Sequence, residues 1–189
     1  MPRAGDMIEN TLTGERAVFA ATRHETEGKR LEADYFLRAG GAVAAAHIHP
    51  LQAETFVVLE GSVRITIGDK EITPEPGVRY TVPPGVSHRI VNHTALAAHL
   101  FSTLEPALRS DELLETVWGL ATDGRTNRRG YPNIFQAAAT AVEFRDELRL
   151  ARPPLWVQDL VFRTVAPLAH ALSYQGRYIP QARRRPPEQ

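Results

Sequence analysis

Residues His47 to Gly61 read HIHPLQAETFVVLEG: two histidines one residue apart, a glutamate after a bend at Pro50, then apolar and β-branched residues closing on glycine. Side chains alternate across a strand, so His47 and His49 point to one side, like two teeth of a comb. Val43 and Ala45, which precede them on that side, are small. Glu54 opens the next strand and shares its face with Phe56 and Val58. A carboxylate on the apolar face of a strand is costly to bury without a partner. Two nearby imidazoles and a divalent cation would supply one.

A second stretch, GVRYTVPPGVSHRIVN from Gly77 to Asn92, strengthens this reading. Pro84-Gly85 forms a tight turn that delivers His88 at the start of a new strand. Together the two stretches give Gly41-x5-His47-x-His49-x4-Glu54-x6-Gly61 and then Gly77-x5-Pro83-x-Gly85-x2-His88-x3-Asn92. This pattern resembles the cupin superfamily, whose two defining motifs carry these residues at these spacings. Every motif position is filled, and the intermotif segment Ser62 to Pro76 suits a compact single-barrel member. The resemblance implies a mainly-β fold, a double-stranded β-helix or jelly-roll barrel, with a metal in its mouth. By matching position the ligands are His47, His49, Glu54 and His88. The donor set agrees with one divalent transition metal, Fe(II), Mn(II), Ni(II) or Zn(II). Four protein ligands leave an octahedral metal up to two open positions.

Outward from the motifs, LEADYFL alternates Leu31, Ala33, Tyr35 and Leu37 against Glu32, Asp34 and Phe36, the two-residue period of a half-buried strand. AVAAAHIH, ETFVVLEG, SVRITIG, VRYTVP, HRIVNH and ALAAHLFSTL follow as further strands, separated by Gly40-Gly41, Gly61, Gly68-Asp69, PEPG and PPG. Short strands at this spacing indicate an antiparallel sandwich or barrel. After Pro106 the period changes. SDELLETVWGLATDG reads as a helix with Ser110 as N-cap and Leu113, Leu114, Val117 and Trp118 on one face. PNIFQAAATAVEFRDELRL starts a second helix at Pro132. In PLWVQDLVFRTVAPLAHAL, a stripe of Val157, Leu160, Val161, Val165, Leu168 and Leu172 forms a third, with Pro167 as a kink or break. The expected organisation is an N-terminal arm over 1–15, a barrel over 16–104, a helical extension over 105–175 and a basic, Pro-containing tail over 176–189. The family resemblance does not reach the extension.

Composition narrows the classes. The chain has 189 residues, no cysteine and a formal net charge of zero, so disulfide stapling, thiolate nucleophiles and a strong field toward nucleic acid are excluded. The N-terminus lacks an apolar leader pattern, and the longest apolar stretch is interrupted by Gln158, Asp159 and Arg163. Peripheral membrane association through LWVQDLVF is disfavoured, because its other face is not rich in lysine or arginine. A cytoplasmic protein is expected, with helices that pack on the barrel, cap its mouth or join a homodimer.

Phe56, Val58, Ile65 and Ile90 are the inward apolar candidates, as a substrate pocket or as barrel core. Glu54 is a candidate base as well as a ligand, and His99, on the AAHLF strand, a candidate for the outer shell of the site. Asn92 shares the strand face of His88 and reads as scaffold, bonding a neighbouring loop. His93 has the opposite parity and should point away. The resulting expectation is a metal-dependent enzyme acting on a small organic molecule, with a mononuclear non-haem oxygenase ahead. An isomerase or decarboxylase using the same site, or a non-catalytic small-ligand sensor, stays open.

Overall fold

Strand Leu31–Leu37 buries Leu31, Ala33, Tyr35 and Leu37 and leaves the residues between them half-buried, the alternation read from the sequence. In the computed structural model, which describes residues 1–42 and 45–181, eleven strands and three helices follow the order β1 (Met7–Asn10), β2 (Glu15–Ala21), β3 (Leu31–Leu37), β4 (His47–Ile48), β5 (Ala53–Glu60), β6 (Arg64–Ile67), β7 (Lys70–Ile72), β8 (Arg79–Val82), β9 (His88–Val91), β10 (Ala98–Glu105), α1 (Ser110–Thr122), α2 (Ile134–Glu143), β11 (Arg149–Leu150) and α3 (Leu155–Ala171). Two antiparallel sheets face each other, ordered β1-β2-β3-β10-β5-β8 and β11-β4-β9-β6-β7. This is the mainly-β barrel of jelly-roll type expected above, followed by helices. Phe19, Leu37, Phe56, Val58, Ile65, Ile90 and Leu100 fill the space between the sheets. Each such side chain contributes about 1.5–3 kcal/mol by leaving water.

Several local expectations change. The strand expected over AVAAAHIH is reduced to His47–Ile48, with Ala42 forming a lone bridge to Val91. Val43 and the tail arginines Arg183 to Arg185 lie outside the described residues. The turn at Gly68-Asp69 is followed by a strand the sequence reading passed over, β7, paired with β6 as a hairpin. The expected N-terminal arm contains β1, which pairs with β2.

The helices differ most. Ser110 does not cap α1: it is the helix's first residue, and its hydroxyl donates to Gln52 Oε1 at 3.1 Å. Val117 is exposed, whereas Asp111, Glu112 and Glu115 are buried. Arginines from three directions permit this, with Arg23, Arg109 and Arg177 contacting Glu112 at 2.6, 2.8 and 3.2 Å. A buried carboxylate is tolerated when it is matched in this way. α2 starts at Ile134 and not at Pro132, and Asn133 caps it, accepting from the amides of Phe135 and Gln136. Pro167 does not end α3, which runs on through it to Ala171. Pro167 and Arg163 lie on the exposed side, where water can take up the carbonyl that proline leaves unbonded. The expected stripe splits: Val157, Val161 and Val165 are half-buried, but Leu160, Leu168 and Leu172 are 59%, 53% and 53% exposed. The packed face carries Gln158, Ala166 and Ala169 instead, because α2 presents Ala138 and Ala139 and small residues let two helices approach closely. Among the described residues, no helix is long and apolar enough to cross a membrane.

Residues 176–180 lie against α1. Tyr178 donates its hydroxyl to Asp123 at 2.6 Å, and a Cβ on Gly119 would meet Pro180. Trp118 meets Tyr35 of β3 edge-on, with ring centroids 6.2 Å apart.

Gly61 ends β5 at φ +75°, and a Cβ there would fall 2.5 Å from the Ala97 carbonyl oxygen, whereas Gly68 at φ +58° has open space around it. Gly61→Ala should therefore cost about 3 kcal/mol and Gly68→Ala about 1 kcal/mol, the second carrying only the left-handed backbone penalty. Urea unfolding of the two variants checks this, and equal losses would contradict it.

Candidate metal centre

His47 and His88 are cross-strand partners in the antiparallel pair β4–β9. Their inward direction follows from the strand alternation that also buries Ile90. Glu54 belongs to the other sheet, where β5 places it beside Leu104 of β10 and Val82 of β8. His49 follows β4 and leads through Pro50 and Gln52 to Glu54. The turn that delivers His88 is tied to this segment, since the Gly85 amide donates to the His49 carbonyl at 2.9 Å. The site thus forms where the two sheets meet.

His47, His49, Glu54 and His88 are 6%, 6%, 5% and 2% exposed. One ligand atom from each lies within 4.8 Å of the others. His49 Nε2 and His88 Nε2 stand 3.1 and 2.9 Å from Glu54 Oε2, and the Nε2 atoms of His47 and His49 are 3.2 Å apart. Each ring engages a backbone carbonyl through its other nitrogen: His47 Nδ1 bonds Ala45 O at 2.8 Å, His49 Nδ1 bonds Glu147 O at 2.6 Å and His88 Nδ1 bonds Val86 O at 3.1 Å. This network assigns the Nδ1–H form to each ring and aims three Nε2 atoms at one point. A cation fits between these donors in place of the protons that otherwise link His49 and His88 to Glu54. The donor set fits a divalent transition metal.

The electrostatics agree. Burial, reinforced by His49 and His88, pushes His47 down to about 3, so its ring stays neutral and available as a donor. Burial disfavours charge on His49, but the hydrogen bond and charge of Glu54 outweigh it and raise His49 above the usual histidine value. Burial likewise pushes the Glu54 carboxyl up, yet hydrogen bonds and charge from His49 and His88 prevail and hold it far below the usual carboxylate range. Glu54 is therefore an anion throughout the neutral range. Burial, with the Glu54 charge added, raises the Tyr35 phenol, which remains a neutral hydroxyl.

Two residues escaped the sequence reading. Ser102 of β10 donates to Glu54 Oε1 at 2.8 Å, leaving Oε2 to the histidines. Its inward parity, shared with Leu100 and Leu104, was the available signal. Glu147 acts through its main-chain carbonyl, which has no side-chain signature. Of the apolar candidates, Phe56 reaches the centre, its ring centroid 5.9 Å from that of His88. Val58, Ile65 and Ile90 belong to the barrel core. His99 has the opposite parity to Ser102: it bonds Asp34 at 2.7 Å and stacks on Phe36, on the far side of β10 from the cluster. Asn92 braces a loop, donating to the carbonyls of Leu37, Arg38 and Leu96, and His93 is exposed.

Residues 35–104 match the family model described as "Cupin domain". A search of curated proteins gives no match. Among solved structures the chain is similar to TT1209 from Thermus thermophilus, with 29% identity over 42% of this chain and 74% of that one and a TM-score of 0.40. It is similar to a "predicted oxalate decarboxylase" from Thermotoga maritima, with 19% identity over 53% and 90% and a TM-score of 0.48. A sugar phosphate isomerase from Silicibacter pomeroyi gives 20% identity over 56% and 66%, with a TM-score of 0.45.

The wild-type chain should bind one divalent transition metal ion. His49→Ala or His88→Ala should weaken that binding at least about 100-fold, and Ser102→Ala about 10-fold, because the last removes only an outer contact. His99→Ala should leave it unchanged. Metal analysis and competition against a chromophoric chelator measure all four, and full retention by folded His49→Ala would refute the ligand assignment.

Proposed function

Because residues 35–104 of this chain are a cupin domain, we propose that the protein is a metal-dependent enzyme acting on a small organic molecule, with oxygenation as its reaction. The observation that carries this reading is the convergence of His47, His49, Glu54 and His88 on one buried point, with every imidazole aimed by a backbone carbonyl. Fe(II), Mn(II), Ni(II) and Zn(II) all suit such donors. A metal bound there supplies Lewis acidity toward a substrate oxygen and, when redox-active, a place for dioxygen.

The chain's own residues do the remainder. Glu54 stays ionised and balances part of the cation's charge, and Ser102 fixes its second oxygen. Phe56 offers an apolar wall beside His88, suited to a substrate with an apolar or aromatic body, while Val58, Ile65 and Ile90 close the barrel beneath. Oxygenation is preferred because the apolar ring of Phe56 beside His88 suits a substrate with an aromatic body, and a redox-active metal held here would supply a place for dioxygen. His99, on the other side of its strand, does not reach the centre.

Two further readings accompany this one. We place the protein in the cytoplasm, on the strength of a chain without cysteine. We also assign it a homodimer through α3, supported by Trp156, Leu160, Leu168 and Leu172, which recur at multiples of four residues and stay exposed.

Protein loaded with Fe(II), purified without chelators or nickel resin, should consume dioxygen with a phenol, enol or keto acid. Glu54→Gln should lower kcat/KM by at least about 100-fold, through loss of an anionic ligand. An oxygen electrode coupled to product analysis reads both. Turnover of the same compounds under argon would assign a redox-neutral isomerase or decarboxylase instead, and a loaded protein inert toward all of them would favour a ligand-binding module.

A further inference from the structure

Two of the three imidazoles find their backbone acceptor locally. His47 and His88 each use a carbonyl two residues earlier in the chain. His49 does not. Its Nδ1 bonds the carbonyl of Glu147, 98 residues away and in the helical extension, at 2.6 Å, the shortest of the three.

That carbonyl is held firmly in place. Just beyond it, β11 pairs with the ligand-bearing strand β4, Arg149 opposite Ile48 and Leu150 opposite His47. The Ala151 amide extends the ladder by donating to Ala46 O at 2.9 Å. On the other side, the buried Glu147 carboxylate accepts from the Arg109 amide at 3.2 Å, just ahead of α1. The amides of Glu147 and Leu148 both return to the Phe144 carbonyl. Arg109 locks the same corner, with its guanidinium 5.0 Å from the centroid of the Phe144 ring and 2.6 Å from Glu143. The segment between His49 and Glu54 is gripped from this direction too: Gln52 is fully buried and donates to Pro106 O, Ala107 O and Ser110 Oγ at 2.7, 3.1 and 2.8 Å.

We infer that the helical extension completes the metal centre, with Glu147 as a positioning residue whose main-chain carbonyl keeps His49 Nδ1 protonated and its Nε2 turned to the cation. The inference rests on the reading of His47, His49, Glu54 and His88 as ligands. An imidazole with no acceptor at Nδ1 is free to rotate and to move its proton to Nε2, where it blocks coordination. The barrel supplies three donors unaided; the fourth is aimed by the extension.

Three variants test this without removing a ligand. Glu147→Ala deletes the carboxylate tether to Arg109 while Glu147→Gln retains an oxygen acceptor there. Ala151→Pro deletes the amide that bonds Ala46 and loosens β11 without touching Glu147. Thermal melts establish that each variant is folded. Zn(II) affinity is measured by chelator competition, and the His49 Nδ1–H proton is followed by NMR in the metal-free protein. Glu147→Ala and Ala151→Pro should each weaken Zn(II) binding about 10- to 100-fold, the usual loss for an outer-shell contact. Both should lose the protected His49 Nδ1–H signal, and Glu147→Gln should retain it together with near wild-type affinity. Folded Glu147→Ala and Ala151→Pro proteins with unchanged affinity and an unchanged signal would overturn the inference. A wild-type protein that binds no Zn(II) would instead defeat the ligand reading, and the Nδ1–H signal of the metal-free variants would still decide whether the extension orients His49. If neither destabilised variant folds, the wild-type spectrum decides: a His49 ring without a protected Nδ1–H overturns the inference.

Discussion

One carboxylate and three imidazoles packed into the mouth of a β-barrel set terms that the surrounding structure must meet. Charge at that depth is penalised by several kcal/mol unless it is shared, and Glu54 is ionised there. The molecule responds with geometry. Two of the candidate ligands come from one sheet and one from the other, with His49 between them, so the cluster sits across the seam. The Nδ1 of each ring is held by a backbone carbonyl, which spares the barrel further buried polar side chains. Ser102 and Phe56 complete the surroundings, one fixing the carboxylate and the other placing an apolar ring beside His88.

A second polar cluster follows a different rule. On α1, three buried acids are answered by arginines from the β2–β3 connection, from the residue before the helix and from the segment after α3. Guanidinium groups carry fixed charge and several donors, and so match carboxylates without a metal. The histidine cluster has no such donors, and this difference separates a place where charge is cancelled from a place where a cation can be received.

Much of this was legible in the sequence, and the reasons differ by element. The strands declared themselves because a half-buried strand must alternate, and LEADYFL does so without exception. The four candidate ligands were marked by the resemblance to the cupin motifs, and they belong to the few side-chain types that bind metals. Helix faces were harder. In α3 the large apolar residues suggested the packed side, but close contact with the alanines of α2 selected Ala166 and Ala169 and turned Leu160 and Leu168 outward. The burial of the acids on α1 left no local mark, because two of the arginines that pair with them, Arg23 and Arg177, are distant in sequence. Ser110 looked like a cap and became a partner of Gln52. The role of Glu147 was beyond reach, since a carbonyl oxygen is common to all residues and only the folded chain shows which one meets His49.

The two-residue strand β11 carries a consequence for how the protein is divided. The strand pattern and the family match both end at Leu104, which invites excision of the barrel as a self-sufficient module. Yet β11 covers the edge of β4, and its neighbour Glu147 bonds a ligand of the metal centre. An edge left bare in this way solicits other strands. A cut at Leu104 would therefore expose β4 and take from His49 the carbonyl that its Nδ1 bonds.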